Sequence, residues 1–177
     1  METGQVLEND YTLDSDGGDQ FLSFILAEEE YGVDILRVQE IKGWTRPTPI
    51  PNTPAYMKGV INLRGTIVPI IDLRERFGLE RLEYGPTTVV IVLRIDSGDR
   101  ERIMGIVVDA VSEVYNIAAD GIQEAPDIGA TLDIEFVKGL ATIDEKMVIL
   151  LDIDHLLNSG ELSIVMEASA EANQADA

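Results

Sequence analysis

Two aspartates at matching places in the chain could carry acid–base chemistry. Asp72 and Asp152 each follow a short apolar run, and a pair of carboxylates is a common arrangement for general acid–base catalysis. Each aspartate also precedes a short segment with helical character, and aspartate is a favoured residue at a helix N-cap. For Asp72, Glu75 stands where a capping box places its second acid. We therefore interpret the aspartates as caps of helices at Leu73–Phe77 and Ile153–Asn158, with a hydrolase that uses either acid as the alternative.

The remaining reactive side chains indicate neither a nucleophile nor a metal centre. The chain has no cysteine and one histidine, His155. This composition excludes thiolate catalysis, cysteine-based metal sites, disulfides and histidine clusters. His155 lies in the second predicted helix beside Asp152 and Asp154, where a structural or solvated role is the simplest interpretation. No glycine-rich phosphate-binding motif occurs, so we expect no cofactor and no enzymatic activity.

The charge distribution favours a protein partner. The formal net charge is −20, and residues 1–20 hold six acids and no base. Residues 159–177 hold four acids and no base, so we expect flexible acidic tails at 1–18 and 161–177. Such a field repels phosphate backbones and anionic lipids, which argues against nucleic acid and membrane insertion. Because no signal-peptide pattern and no apolar run of about 18 residues is present, we expect a cytoplasmic protein.

Short apolar runs separated by turn signals predict an all-β fold. They are rich in valine and isoleucine, whose branched Cβ atoms favour strands, and no long amphipathic helix lies between them. After Ile35 the apolar parity shifts, which indicates a bulge or a single helical turn. The predicted strands are Phe21–Leu26, Tyr31–Ile35, Gly59–Leu63, Thr66–Ile71, Thr87–Ile95, Ile103–Val108, Ser112–Ile117 and Met147–Leu151.

An internal repeat organises these runs. Gly59 and Asp72 are 13 residues apart, as are Gly139 and Asp152. A chance match of this kind is improbable when two further segments recur in the same order, so the chain is a duplicated β module with repeat units of roughly 20–86 and 87–160. The matched segments are Gly32–Ile41 with Gly105–Val114, Tyr56–Gly59 with Phe136–Gly139, and Ile67–Leu73 with Met147–Ile153.

Four segments of the two units resemble the CheW family of chemotaxis coupling proteins. They are Tyr31–Ile41, Lys58–Gly65, Val68–Arg74 and Gly105–Ser112, and the resemblance covers residues 19–160, which we expect to form a CheW-like domain. It implies two pseudo-repeated SH3-like five-stranded β-barrels with short connecting helices. It also implies a non-enzymatic adaptor that links the cytoplasmic tips of chemoreceptors to the regulatory domain of the histidine kinase CheA. The charged segment Asp96–Arg102 departs from the family pattern.

The resemblance further implies five residues at the interface with receptor or kinase. From the residues alone, Arg64 is a solvated turn arginine, Val38 a core residue and Glu40 a surface residue. By resemblance, Arg64 is a contact residue whose guanidinium can pair with a carboxylate, Val38 an exposed apolar anchor and Glu40 a charge that sets register. Val89 and Val114 would line a groove between the barrels, whereas periodicity alone favours core positions for both. A CheW-like scaffold in another signalling pathway is the alternative function.

Overall fold

The structure, a computed structural model, describes residues 18–80, 82–98, 100–124 and 136–158. The expected tails at 1–18 and 161–177 lie outside the described residues, except for Gly18. Asp99, within the charged segment that departs from the family pattern, also lies outside them.

Ten strands, two short helices and two 3₁₀ turns follow one another along the described residues. The strands are β1 (Gly18–Leu26), β2 (Glu29–Asp34), β3 (Val38–Gly43), β4 (Met57–Leu63), β5 (Thr66–Asp72), β6 (Val89–Asp96), β7 (Glu101–Val108), β8 (Ala110–Ala118), β9 (Val137–Ile143) and β10 (Lys146–Leu151). The helices are α1 (Leu73–Arg76) and α2 (Ile153–Asn158), and the 3₁₀ turns are Ile35–Arg37 and Ala119–Gly121. The predicted all-β fold class is confirmed.

The strands form two five-stranded sheets with the same topology, and each sheet forms one SH3-like barrel. Barrel 1 has the strand order β8-β1-β2-β10-β9, and barrel 2 has the order β3-β6-β7-β5-β4. The two orders coincide when β1–β5 of the first repeat unit are matched with β6–β10 of the second. Each barrel therefore combines two strands of one unit with three of the other. The unit boundary near residue 86 consequently does not separate the barrels, and barrel 2 is contiguous in the chain whereas barrel 1 is not.

The irregularity predicted after Ile35 contains both of the expected features. The 3₁₀ turn Ile35–Arg37 begins with a cap in which Asp34 Oδ1 accepts from Leu36 N at 2.9 Å. A β-bulge follows between Val38 and Glu40, where the register with β6 shifts. Together these features end β2 in barrel 1 and start β3 in barrel 2. They explain why the apolar parity changes at this point of the sequence.

Three tight hairpins have two-residue turns with positive φ at both central residues. These residues are Ala27-Glu28 (φ 53° and 69°), Arg64-Gly65 (51° and 90°) and Asp144-Glu145 (51° and 68°). Positive φ at both positions is the mark of type I′ turns, whose twist matches that of the flanking strands. The turn predicted at Arg64-Gly65 is therefore present, and its backbone holds Arg64 in a conformation that L-residues adopt infrequently.

The largest hydrophobic cluster takes residues from both barrels. Its buried members come from alternating positions along strands of both barrels, as expected for two sheets that pack face to face. They include Phe24, Val33, Ile71, Ile91, Ile106 and Leu151. Two smaller clusters fill the barrel interiors, Phe21, Ile117, Val148 and Leu150 in barrel 1 and Val68, Ile70, Val90, Val92 and Val107 in barrel 2. Burial of these side chains, each worth about 1.5–3 kcal/mol, supplies the main stabilisation.

Both predicted helix caps are present. Asp72 Oδ1 accepts from Glu75 N at 3.3 Å, and Asp152 Oδ1 accepts from His155 N at 3.1 Å. The capping box at α1 is only half formed, because the Asp72 N–H donates to the Tyr56 carbonyl oxygen at 2.8 Å and the Glu75 carboxylate lies 2.6 Å from Lys58 Nζ. A side chain from a distant strand has taken the place of the local backbone donor.

Candidate protein-interaction site

Strand β3 carries two of the predicted interface residues at one end of the sheet of barrel 2. Val38 pairs with Leu93 and Glu40 with Val92, so the intervening Gln39 is the extra residue of the bulge. A bulge increases the local twist and redirects the side chains beside it. Val38 packs with part of its surface against the shared core, and the rest of its side chain is accessible. Val38 is thus half-buried. This lies between the core position expected from the residues alone and the exposed anchor that the resemblance implies.

Arg64 forms an ion pair with Glu40 across the barrel. Arg64 Nη2 donates to Glu40 Oε1, and the two side chains are 70% and 26% exposed. β3 and β4 stand at opposite ends of the sheet order, so this pair connects the two ends where the barrel closes. An ion pair this exposed contributes about 0–1 kcal/mol to stability. The guanidinium of Arg64 therefore contributes little to the stability of the fold and remains accessible at the surface.

The two other predicted valines lie farther from this pair. Val89 is opposite Gly43, at the other end of β3 from Val38. Val114 belongs to β8 of barrel 1, where it pairs with Leu22. Both valines are half-buried and pack against the shared core. The structure therefore groups Val38, Glu40 and Arg64 in barrel 2 and leaves Val89 and Val114 at separate margins of the core.

Two exposed apolar residues beside Val38 were missed from the sequence. Leu36, in the 3₁₀ turn, is 72% exposed, and Ile41, on β3, is 42% exposed. Scattered apolar residues on a surface are ordinary, but here two of them flank the candidate contact residues in the chain. The parity shift was the available signal, because an apolar run that changes register cannot bury every member. We call the exposed parts of Leu36, Val38, Glu40, Ile41 and Arg64 the β3 surface.

The aspartates considered for acid–base chemistry are engaged as caps. Asp72 is buried, and its Oδ2 accepts from Tyr84 Oη at 2.5 Å. Burial raises the pKa of Asp72, although the hydrogen bonds from Tyr84 and Glu75 N partly oppose this effect. Asp152 caps α2. Both aspartates thus have the structural role that the helix-cap interpretation assigns to them.

Two features are absent from the described part of the chain. Within it, no group of three or more histidine, aspartate or glutamate residues is arranged to hold a metal ion. Over the same residues, no helix has the length and apolar character required to cross a membrane.

Comparison with known proteins assigns a family to this architecture of two SH3-like barrels. The CheW-like domain family matches residues 20–161. A chemotaxis protein CheW from Klebsiella aerogenes is 50% identical over 148 residues, which cover 84% of this chain and 87% of that protein. A chemotaxis protein CheW from Rhizobium meliloti is 37% identical, with 83% and 92% covered. The chain belongs to the CheW family, and the resemblance noted in the sequence is confirmed.

A solved structure supports the same assignment. The crystal structure of the scaffolding protein TtCheW from Thermoanaerobacter tengcongensis superposes with a TM-score of 0.73 and is 37% identical in sequence. It covers 81% of this chain, and the match includes 90% of that protein. At this identity and coverage, the family membership places the chain among chemotaxis scaffold proteins.

Proposed function

We propose that this chain is a non-enzymatic adaptor that couples chemoreceptors to the histidine kinase CheA. Its partners are the regulatory domain of the kinase and the cytoplasmic tips of the receptors, and it works in the cytoplasm beside membrane-anchored receptor arrays. The family membership supports the chemotaxis assignment. The β3 surface supports the coupling role, because it combines accessible apolar side chains with an ion pair that contributes little to stability.

The Glu40–Arg64 pair is the observation that carries this proposal. An exposed guanidinium whose neighbour is a single carboxylate keeps further N–H donors for a partner's carboxylate or helix-end carbonyl groups. Leu36, Val38 and Ile41 supply further accessible apolar area on β3 and the turn before it. Val38 and Ile41 lie on the other face of β3 from Glu40, because their partners on β6 belong to the shared core, whereas the partner of Glu40 belongs to the interior of barrel 2. An amphipathic helix of a partner suits such a surface, because it presents an apolar stripe flanked by charges.

Two barrels give the adaptor two quasi-equivalent faces. A chain that presents one face to each of two partners can bridge them without a bound cofactor, and individually weak contacts become tight when many copies assemble. Val89 and Val114, at separate margins of the shared core, are the proposed additional contacts. The receptor state would then reach the kinase through the positions that the adaptor imposes on both partners.

Binding of the purified chain to the regulatory domain of CheA and to a receptor tip fragment tests this function. We expect saturable binding to both, with dissociation constants on the order of micromolar. Arg64→Ala should weaken binding to one partner about tenfold, because truncation of a charged contact in an interface costs more than about 1.4 kcal/mol. Circular dichroism and urea unfolding should show an unchanged fold.

Arg100→Ala is the matched control, because Arg100 is an exposed arginine of the β6–β7 hairpin outside the β3 surface. This variant should bind both partners like the parent chain. Equal affinities of Arg64→Ala and the parent would contradict the role of Arg64. Absence of binding to either partner by the folded parent would contradict the coupling function and favour a CheW-like scaffold for another pathway.

A further inference from the structure

A second ion pair ties the start of the β3 surface to the last described helix. Arg37 Nη1 donates to Asp154 Oδ1 at 2.7 Å, and Arg37 Nη2 donates to Asp154 Oδ2 at 2.5 Å. This is the bidentate arrangement in which the planar guanidinium and the carboxylate fix each other's orientation. Arg37 Nη1 also donates to the Arg94 carbonyl oxygen at 2.9 Å. Since Arg37 lies between Leu36 and Val38, the pair holds the chain where the β3 surface begins.

Asp154 is itself held by the hairpin between β6 and β7. Its Oδ1 accepts from Asp96 N at 2.8 Å. Asn158, one turn later on α2, donates from Nδ2 to the Asp96 carbonyl oxygen at 2.9 Å, and its Oδ1 accepts from Ser97 Oγ at 3.0 Å. Because α2 directly follows β10 of barrel 1, these bonds join the end of barrel 1 to two segments of barrel 2.

The Arg37–Asp154 pair is better shielded than the Glu40–Arg64 pair. Its side chains are 30% and 29% exposed, against 70% for Arg64. Burial disfavours the charge on Asp154, but hydrogen bonds from Arg37 and from Asp96 N outweigh it and keep the pKa of this carboxyl below its usual value. The pair is therefore fully charged at neutral pH. A bidentate, half-buried pair restrains geometry more firmly than an exposed contact through a single nitrogen.

We propose that Arg37 and Asp154 are positioning residues that hold β3 in the conformation that its partner binds, an inference that rests on the proposed function. β3 stands at the end of the sheet order with β6 as its neighbour, so ladder hydrogen bonds restrain it along one side. The ion pair adds a restraint at Arg37, the residue that precedes β3, and fixes the start of the strand relative to barrel 1. A binding strand that is ordered before the encounter loses less conformational entropy on association, and its affinity is higher.

Three variants separate positioning from folding. Asp154→Ala removes the carboxylate, Asp154→Glu keeps it on a longer stem, and Asp120→Ala is the control, since Asp120 is an exposed aspartate of the second 3₁₀ turn. Amide hydrogen exchange is measured for residues 38–42, together with urea unfolding. Affinity is measured for the kinase regulatory domain and the receptor tip, at a temperature where every variant is folded. Val38→Asp identifies which partner contacts β3.

We expect Asp154→Ala to accelerate amide exchange in β3. It should also weaken binding of the partner that is sensitive to Val38→Asp about three- to tenfold, while the affinity for the other partner stays unchanged. Asp154→Glu should lie between Asp154→Ala and the parent, and Asp120→Ala should match the parent. If Asp154→Ala does not fold, Arg37→Lys, which keeps the charge but not the bidentate geometry, takes its place with a smaller expected loss.

Unchanged exchange in β3 would overturn the inference, and so would faster exchange with unchanged affinity. Equal weakening of both partners in proportion to lost stability would show a merely structural pair and would overturn it as well. Failure of the parent chain to bind either partner is a different result, because it contradicts the proposed function. The exchange of β3 amides then still decides whether the pair restrains this strand.

Discussion

The same type of two-residue turn joins β4 to β5 in barrel 2 and β9 to β10 in barrel 1, but the two turns carry opposite charges. Barrel 2 has Arg64-Gly65 and barrel 1 has Asp144-Glu145, and the first residue of each turn has a φ of 51°. The repeat matches Glu40 in barrel 2 with Glu113 in barrel 1. Glu40 therefore pairs with a guanidinium, whereas the turn of barrel 1 that matches Arg64-Gly65 consists of two acids, Asp144 and Glu145.

The barrel interiors also differ, because one position is a buried acid in barrel 1 and an apolar residue in barrel 2. In barrel 1, Glu30 is buried, and its carboxylate accepts from Tyr115 Oη at 2.9 Å and lies 3.5 Å from Lys146 Nζ. The repeat places Ile103 at the matching position of barrel 2, where it packs against the interior cluster. At these matched positions, barrel 1 has a buried carboxylate held by internal partners, while barrel 2 has an apolar side chain there and an exposed ion pair at its surface.

This contrast shows that the duplicated backbone does not dictate duplicated function. Both barrels have the same strand order and the same type of closing turn, so their backbones present two similar frames. The side chains break this symmetry. Barrel 2 carries the exposed Arg64 and exposed apolar residues, while barrel 1 has an acidic turn and internal hydrogen bonds. The proposed adaptor function, with two different partners, requires such a difference.

The largest expected effect concerns the glycines that let each barrel close. A Cβ on Gly59, whose φ is 136°, would lie 2.2 Å from the Thr48 carbonyl oxygen, and a Cβ on Gly139 would lie 2.4 Å from Ile122 Cγ2. At Gly139 the Ile122 side chain can move away, and the nearest backbone atom, the Gln123 carbonyl oxygen, would lie 3.0 Å from the Cβ. At Gly59 the severe clash is with the backbone itself, so the two sites should differ. We expect Gly59→Ala to lower the free energy of unfolding by about 3 kcal/mol or more, and Gly139→Ala by about 1–2 kcal/mol.

Urea unfolding of both variants measures this difference through the transition midpoints at constant slope. Gly85→Ala is the control, because nothing lies within 4 Å of its added Cβ and its φ is not positive. A greater loss for Gly139→Ala than for Gly59→Ala would show that barrel 1, not barrel 2, closes more tightly.

An intermediate effect is expected from the buried acid of barrel 1. Burial disfavours the charge on Glu30, but hydrogen bonds from Ser23 and Tyr115 and the nearby Lys146 lower its pKa overall. Glu30→Gln should therefore lower the free energy of unfolding at pH 7 by about 1–2 kcal/mol, because charge-assisted hydrogen bonds are lost.

The sign of the pH dependence follows from the lowered pKa. The charged Glu30 stabilises the fold above the pKa of the unfolded chain, about 4.3, and this contribution disappears as the pH falls through the folded pKa. The difference between the parent and Glu30→Gln should thus shrink below about pH 4. Chemical unfolding at pH 7, 5, 4 and 3 measures it, with the exposed Glu101→Gln as the control. A difference that is constant from pH 7 to 3 would mean that Glu30 contributes by packing alone.

Much of this fold could be predicted because its signals are local. Apolar runs, turn residues and caps depend on neighbours within a few positions, so most strands, the Arg64-Gly65 turn and both helix caps were predicted. The pairing of strands across the two repeat units could not be predicted. A repeat has the same sequence pattern whether its strands pair within a unit or between units, and only packing decides between them.

The candidate site was less predictable for a related reason. Arg37 and Asp154 are 117 residues apart in the chain, and Glu75 pairs with Lys58 of another strand rather than completing the local capping box. Periodicity also separates apolar from polar positions but does not distinguish the centre of a core from its margin. For this reason Val38 was assigned either to the core or to the surface, whereas it lies half-buried between them.

The smallest expected effect comes from giving the turn of barrel 1 the charge of barrel 2. Asp144→Arg places a guanidinium on the same type I′ backbone as Arg64, at the position that the repeat matches with Arg64, just as it matches Glu113 with Glu40. The unfolding free energy should change by about 1 kcal/mol or less, because an exposed pair gains little.

The binding result of this exchange decides whether the charge of the turn is sufficient to make a docking site. The position of barrel 1 that the repeat matches with the exposed Leu36 is Asp109, which is engaged with Arg74 at 2.9 Å. The positions that match Val38 and Ile41, Val111 and Val114, are apolar but half-buried against the shared core. Arg64→Ala combined with Asp144→Arg should therefore bind as weakly as Arg64→Ala alone, since barrel 1 has no counterpart of the exposed Leu36. Titration of the partner sensitive to Arg64→Ala measures this. Recovery of the parent affinity would mean that a basic turn on either barrel is enough, and that the two barrels are interchangeable frames for one partner.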